Sequence, residues 1–370
     1  MTKFLNVNFH YQKARQFYFK YERILIPATL VSGFLADYFT FSNIQIGITF
    51  FMLAVYWLLA GTVILAINFY DAGRIPQKFK YIRLFLPLPL QFFFGALLGA
   101  SLIFYWFSGA FSVSWPIMLI VAFLMIFNDV FRHYFERPAL HIGVYFFATF
   151  SLFSLILPFV FSSIDVWVFL LAGVASLIVF GGFIGILMYF CSEIKRQKWL
   201  LFFVVFGIFT SMNTLYFLNI IPPIPLALRE ARMYREIKVS SLQYTMKEES
   251  ESLWDKYFFD LIYGQKLHPK KNEKVYLYNA IFAPAKLTAK IIHQWQYYDE
   301  NQKKWLDINE LSFNIVGGRK EGYKGYSFMS NLQEGRWRIN VQNERGQVLG
   351  RVRFVIEGFV VPIVLEEVVR

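Results

Sequence analysis

The stretch Trp199-Leu-Leu-Phe-Phe-Val-Val-Phe-Gly-Ile-Phe-Thr-Ser-Met-Asn-Thr-Leu-Tyr-Phe-Leu-Asn-Ile-Ile221, followed at once by Pro222-Pro223-Ile224-Pro225, divides the 370-residue chain into two chemically different parts. It contains no charge and is long enough for a helix across a bilayer core, which needs about 20 residues. Proline lacks an amide donor and biases the residue before it away from helical backbone, so the helix stops here. Residues 1–221 carry 7 acidic and 14 basic side chains, whereas residues 222–370 carry 18 and 23. The whole chain is 56% hydrophobic and 17% charged, against about 45–50% and about 25% in average soluble domains. A wholly soluble protein and an intrinsically disordered one are both excluded.

Upstream, the stretches 24–41, 46–69, 85–107, 115–131, 142–161 and 166–190 also qualify as spans, which predicts seven transmembrane helices over residues 1–221. The connections 42–45, 108–114 and 162–165 contain no Lys or Arg. The alternate connections hold Arg74, Lys78, Lys80 and Arg83, then Arg132 and Arg137, then Lys195, Arg196 and Lys198. The N-terminal segment adds Lys3, Lys13, Arg15, Lys20 and Arg23. This asymmetry predicts a cytoplasmic N-terminus and, after seven crossings, an extracytoplasmic C-terminal part. Asn6–Tyr21 is too polar for the core of a cleavable signal peptide, so the first span is expected to act as an uncleaved anchor. The net charge of +12 follows from this topology, and no nucleic-acid partner is expected. Cys191, the single cysteine, excludes an intramolecular disulfide.

Gly95-Ala-Leu-Leu-Gly99 and Gly181-Gly-Phe-Ile-Gly185 are small-xxx-small motifs, suited to packing within the chain or to self-association. Chemistry inside the bilayer would need ionisable groups at depth. Asp37, about one turn from the outer surface, is the clearest candidate, and Asn128 and Asp129 stand near the inner end of the fourth span. Rim residues touching headgroups or neighbouring helices are the plainer reading of all three. His10, His133 and His141 fall at the cytoplasmic rim, so neither a haem nor a metal pair is expected, and no cofactor.

Residues 222–272 read as a juxtamembrane helical connector. Leu226–Lys238 reads as a short charged helix. Trp254, Tyr257, Phe258, Leu261 and Ile262 recur at helical spacing and mark a second helix, lying in the headgroup layer or against the soluble part.

From residue 273 to 370 the period changes to two. Val275–Phe282, Lys290–Tyr298, Leu311–Val316, Tyr326–Met329, Trp337–Val341, Val348–Ile356 and Phe359–Leu365 read as strands with turn residues between them. The spacing predicts a small antiparallel Ig-like β-sandwich. Trp295 and Trp337 fall at inward positions, Gly346 suits a hairpin turn, and Gly350 marks a bulge.

Within that region the ordered run His293-Gln-Trp295-Gln-Tyr297, Gly317-Gly-Arg319-Lys-Glu-Gly322-Tyr323, Tyr326-Ser327, Gly335-Arg-Trp337-Arg338, Gly346-Gln347-Val-Leu-Gly350 and Phe354-Val355 resembles the bacterial family called domain of unknown function 2914. The resemblance covers about residues 274–357. It implies a β-domain following a multi-helix region, in the inner membrane of a Gram-negative host, and it implies no activity.

Arg319, held in a glycine-rich loop, joins His293, Tyr323, Tyr326, Ser327 and Arg338 as a candidate ligand-binding set for a carboxylate, phosphate or sugar. The alternative is that Arg319 braces its own loop through backbone carbonyls. No nucleophile elbow, HExxH, phosphate loop, dinucleotide fingerprint or zinc spacing occurs. The sequence therefore predicts a non-enzymatic envelope protein whose β-domain binds a protein, glycan or peptide. The competing expectation is a membrane-embedded enzyme or transporter handling lipid or envelope precursors, with the β-domain as an accessory.

Overall fold

Backbone amides in a bilayer find no water and must bond within their own segment, and the apolar stretches of the N-terminal half are accordingly helical. The computed structural model describes residues 2–41, 46–130, 138–240, 243–250, 264–319, 321–359 and 364–370. One compact unit holds Met1–Tyr105, Pro116–Phe161 and Asp165–Phe217; the other holds Trp106–Trp115, Ser162–Ile164 and Leu218–Arg370.

The helices are α1 (Thr2–Phe41), α2 (Ile46–Asp71), α3 (Lys80–Phe85), α4 (Pro87–Ser108), α5 (Phe111–Val130), α6 (Pro138–Phe161), α7 (Val166–Phe190), α8 (Ser192–Arg196) and α9 (Lys198–Phe217). Among the described residues, five stretches are long and apolar enough to cross a membrane: Gly47–Asp71, Gln77–Ser108, His141–Phe161, Val166–Phe190 and Lys198–Phe217. The apolar part of α5 is shorter, at Phe111–Ile126. α1 is one 40-residue helix that continues through the polar N-terminal segment.

The first glycine motif is used inside the chain. A Cβ on Gly95 would stand 2.0 Å from the Leu30 carbonyl oxygen, and one on Gly33 would stand 2.1 Å from that of Phe92, so α1 and α4 touch backbone to backbone. The second motif is different, because a Cβ on Gly181 or Gly185 would meet nothing within 4 Å. Elsewhere Trp57 on α2 donates its indole N–H to Thr149 Oγ1 on α6 at 2.8 Å. Phe169 on α7 stacks on Tyr216 of α9 with centroids 3.7 Å apart. At the basic end of α2, Arg83 grips Asp71 with two hydrogen bonds of 2.9 and 2.7 Å.

The strands are β1 (Ala227–Tyr234), β2 (Glu236–Ser240), β3 (Gln243–Glu249), β4 (Gln265–Leu267), β5 (Val275–Phe282), β6 (Thr288–Asp299), β7 (Lys304–Val316), β8 (Tyr323–Met329), β9 (Gly335–Asn343), β10 (Val348–Ile356) and β11 (Leu365–Val369). They form a three-stranded sheet β1-β5-β8, a five-stranded sheet β4-β10-β9-β6-β7 and a third sheet β11-β3-β2. The first two share one core. Met233, Leu277 and Ile281 from one sheet meet Trp295, Trp337, Ile339 and Phe354 from the other. Trp295 and Trp337 are buried as their strand positions predict. The ladder of β9 and β10 shifts register between Val348 and Gly350. A Cβ on Gly350 would stand 2.1 Å from Leu228 Cδ2, so the bulge lets β1 lie close.

Three expectations change. Residues 226–238 are not a surface helix; they form β1 and β2, which pair with β5 and β3. The segment is rich in Ala, Leu, Arg, Glu and Met, all good helix formers, but sheet pairing overrides that preference. Its period-two signal is blurred because Met233 and Tyr234 are both buried, one in the sandwich core and the other in a second cluster with Met246 and Tyr278. The β-unit therefore reaches back to Leu218 rather than beginning at 273. It is also not wholly antiparallel, since β4 pairs parallel with β10. The predicted helix over Trp254–Ile262 lies outside the described residues.

Where the chain leaves β1 for β2, Arg235 is buried and ion-paired to both Glu249 and Glu273. It also donates to the His268 carbonyl at 2.8 Å. Glu249 in turn lies 2.8 Å from His268 Nδ1, so one charge cluster joins β3, the start of β5 and the segment after β4.

Candidate functional site

The six residues grouped by sequence lie in four places. His293 is fully buried inside the sandwich. Its Nε2 faces the Asn279 side-chain amide, and its Nδ1 lies 2.8 Å from Ser327 Oγ. Trp295 also donates to Ser327 Oγ, at 3.3 Å, and Phe313 stands edge-on with its centroid 5.0 Å from the imidazole. Burial pushes the His293 imidazole down to about 4, so it is neutral near pH 7. Here the hydroxyl accepts from Trp295 and both side chains are buried, so His293 and Ser327 stand as a polar strut within the core.

Arg319 and Tyr323 meet at the start of β8, where Tyr323 packs against the core and stacks on Phe313. The Arg319 guanidinium sits 4.8 Å above the Tyr323 ring. Tyr326 projects from the opposite side of its strand from Ser327 and is 42% exposed. It lies 6.5 Å from Tyr244 on β3 and 6.3 Å from Tyr276 on β5, ring to ring, and Tyr276 stands 5.6 Å from the exposed Phe328. Tyr244 donates to the Lys324 carbonyl at 3.4 Å. Burial pushes its phenol up, with Tyr323 and Tyr326 adding to the rise and Arg319 and Lys324 opposing it. The result is an exposed aromatic patch with a cation at its edge. Such surfaces bind partners well, because Tyr and Arg concentrate binding energy in few side chains. Tyr244 was hidden from sequence reading because β3 fell within the expected connector.

Arg338 stands apart, on the outward side of β9 in the five-stranded sheet, where Arg353 of β10 lies directly across from it. It donates to Gln296 Oε1 at 2.6 Å and lies 4.2 Å from the Trp305 ring centroid.

The polar groups assigned to the membrane half are less informative. Asp37 is only 1% exposed, and among the described residues its Oδ2 has no hydrogen-bond partner. Asn128 and Asp129 fall in the last turn of α5, with side chains outside the described residues. Among the described residues no group of three His, Cys, Asp or Glu side chains is arranged to hold a metal ion. Cys191 is buried and unpaired in any disulfide.

The strand-by-strand placement coincides with a family boundary. Residues 288–356 match the family described as Protein of unknown function (DUF2914). The DUF2914 segment opens with the first residue of β6 and closes with the last of β10. It contains His293, Arg319, Tyr323, Tyr326, Ser327 and Arg338, and leaves β1–β5 and all the helices outside. No curated protein and no solved structure matches this chain.

Proposed function

We propose that this chain is a non-enzymatic protein of the bacterial inner membrane, anchored by seven helices, whose Ig-like β-unit faces outward and binds a protein, glycan or peptide partner. The two spans beyond the five clear ones are the apolar end of α1 and helix α5. The 14 basic residues on one set of connections, against none on the other, support the orientation. The turns Trp106–Trp115 and Ser162–Ile164 also belong to the compact unit that contains Leu218–Arg370. Ala110 donates its N–H to the Val348 carbonyl at 3.2 Å, and Ile164 packs on the sandwich core. Both turns are free of Lys and Arg, as an outer side requires.

The observation that carries the recognition role is the patch of Tyr326, Phe328 and Tyr244, with Arg319 near enough to act on the Tyr244 phenol. A photo-crosslinking residue placed at Tyr326 in living cells should give a discrete adduct, and the same residue at the exposed Lys303 should not. Arg319→Ala should weaken that adduct while leaving the melting temperature nearly unchanged. If Arg319 is a loop brace, the substitution instead costs about 1–3 kcal/mol through orphaned carbonyls. No adduct from position 326, or the same adducts from 303, would remove the patch from the site.

A second reading, transport or catalysis within the membrane on lipid or envelope precursors, has Asp37 in its favour, since a buried carboxylate oxygen without a partner is costly there. It predicts a function lost in Asp37→Asn with the fold intact.

A further inference from the structure

The outward side of the five-stranded sheet carries a cationic cluster unlike the aromatic patch. Arg338 and Arg353 are cross-strand partners, and Arg351, two residues from Arg353, lies across from Asn340. Like charges directly opposite in a sheet repel. Among the described residues none of the three forms an ion pair. Asp307, the carboxylate near Arg338, already accepts a hydrogen bond from the Gln296 amide.

The cluster is built rather than incidental. Arg351 donates through Nε to Asn340 Oδ1 at 2.7 Å, and Asn340 donates to Gln294 and Gln296 at 3.0 and 3.1 Å. Gln296 also takes the Arg338 Nε bond. Asn340 and Gln296 are 5% and 8% exposed, so the polar support beneath the guanidinium groups is fixed in place. With Nε of both Arg338 and Arg351 committed, their terminal nitrogens remain for a ligand, in the planar fork that suits carboxylates. Burial, then the neighbouring arginines, pushes Arg338 down to about 10 and lowers Arg351 as well. An anion bound here would offset the repulsion among the three arginines.

We propose that this face binds an acidic polysaccharide, with Arg338, Arg351 and Arg353 taking its carboxylates. The strands here are paired on both sides, so a peptide cannot add to them as a further strand. Contact runs through side chains instead, and three guanidinium groups on two adjacent strands suit a chain of repeated carboxylates. The choice of a glycan over a nucleic acid rests on the extracytoplasmic reading above.

The test uses the full chain in nanodiscs of neutral lipid at physiological salt, with a uronic-acid hexamer as probe. Maltohexaose and a hexaglutamate peptide serve as comparison ligands. The hexamer should bind, maltohexaose should not, and hexaglutamate should bind about ten-fold more weakly or worse. The exposed Arg353→Gln should weaken the hexamer about ten-fold, Arg351→Gln/Arg353→Gln further, and Arg353→Lys should restore only part. Arg319→Ala should leave hexamer affinity unchanged, which keeps this result separate from the partner-binding patch. No binding of the hexamer, equal binding of hexaglutamate, or an undiminished Arg353→Gln overturns the proposal. Hexamer binding together with a cytoplasmic β-unit would keep this site and overturn the localisation instead.

Discussion

His293 Nδ1 lies 2.8 Å from Ser327 Oγ within the sandwich, with the imidazole fully buried. On paper the pair is half of a hydrolase triad. In place it ties β6 to β8 beneath the exposed ring of Tyr326 and sets the level of that strand.

This burial has a pH signature. An unfolded His293 takes up a proton as pH falls through about 6.5, whereas the folded one does so only near 4. Between those values the unfolded chain binds more protons, so stability falls as pH falls and levels off below 4. The loss totals about 3 kcal/mol. The drop in melting temperature between pH 7 and pH 4.5 should be smaller in His293→Phe than in the unaltered protein. Equal drops would mean that His293 titrates in solvent.

The β-unit needs its early strands. β1 supplies Met233 to the core, and Leu226 just before it is also fully buried there. A fragment covering Leu218–Arg370 should melt cooperatively with a β-type circular dichroism spectrum, and one covering 273–370 should not. Within the longer fragment Trp337→Ala should cost about 3–5 kcal/mol. A cooperative melt of the shorter fragment would show that β1 is dispensable.

Much of this unit was legible beforehand because β6 alternates between buried and open positions from Ile291 to Trp295 and turn residues separate the strands. Trp295, Trp337 and the bulge at Gly350 follow from that period. β1 and β2 were not legible, since adjacent residues Met233 and Tyr234 are buried on opposite sides. The candidate site was legible only in part. Arg319 and Tyr323 sit close together in sequence and in space, whereas Tyr326 projects from the opposite side of β8. His293 and Arg338 fall on opposite sides of one sheet: strand parity sends His293 inward beside Trp295, and Arg338 outward between Trp337 and Ile339. The same parity puts Arg351 and Arg353 on the outward side, a signal that was available in Gly350-Arg351-Val352-Arg353.

Arg235 should be among the most sensitive positions. Arg235→Met leaves Glu249 and Glu273 without their shared cation in a largely buried place, and breaking such a pair costs about 3–5 kcal/mol. Adding Glu249→Gln and Glu273→Gln should recover most of the loss. Denaturant titration of the Leu218–Arg370 fragment reads both effects, and a cost below about 1 kcal/mol would show that the cluster is solvated.

The central claim is that a helical anchor holds the β-unit outside the cytoplasm, and paired fusions test it most directly. A reporter active only in the periplasm should be active when joined after Arg370 and silent when joined after Lys80. A complementary reporter active only in the cytoplasm should give the opposite pair. A silent periplasmic reporter after Arg370, with the cytoplasmic one active there, would contradict the account.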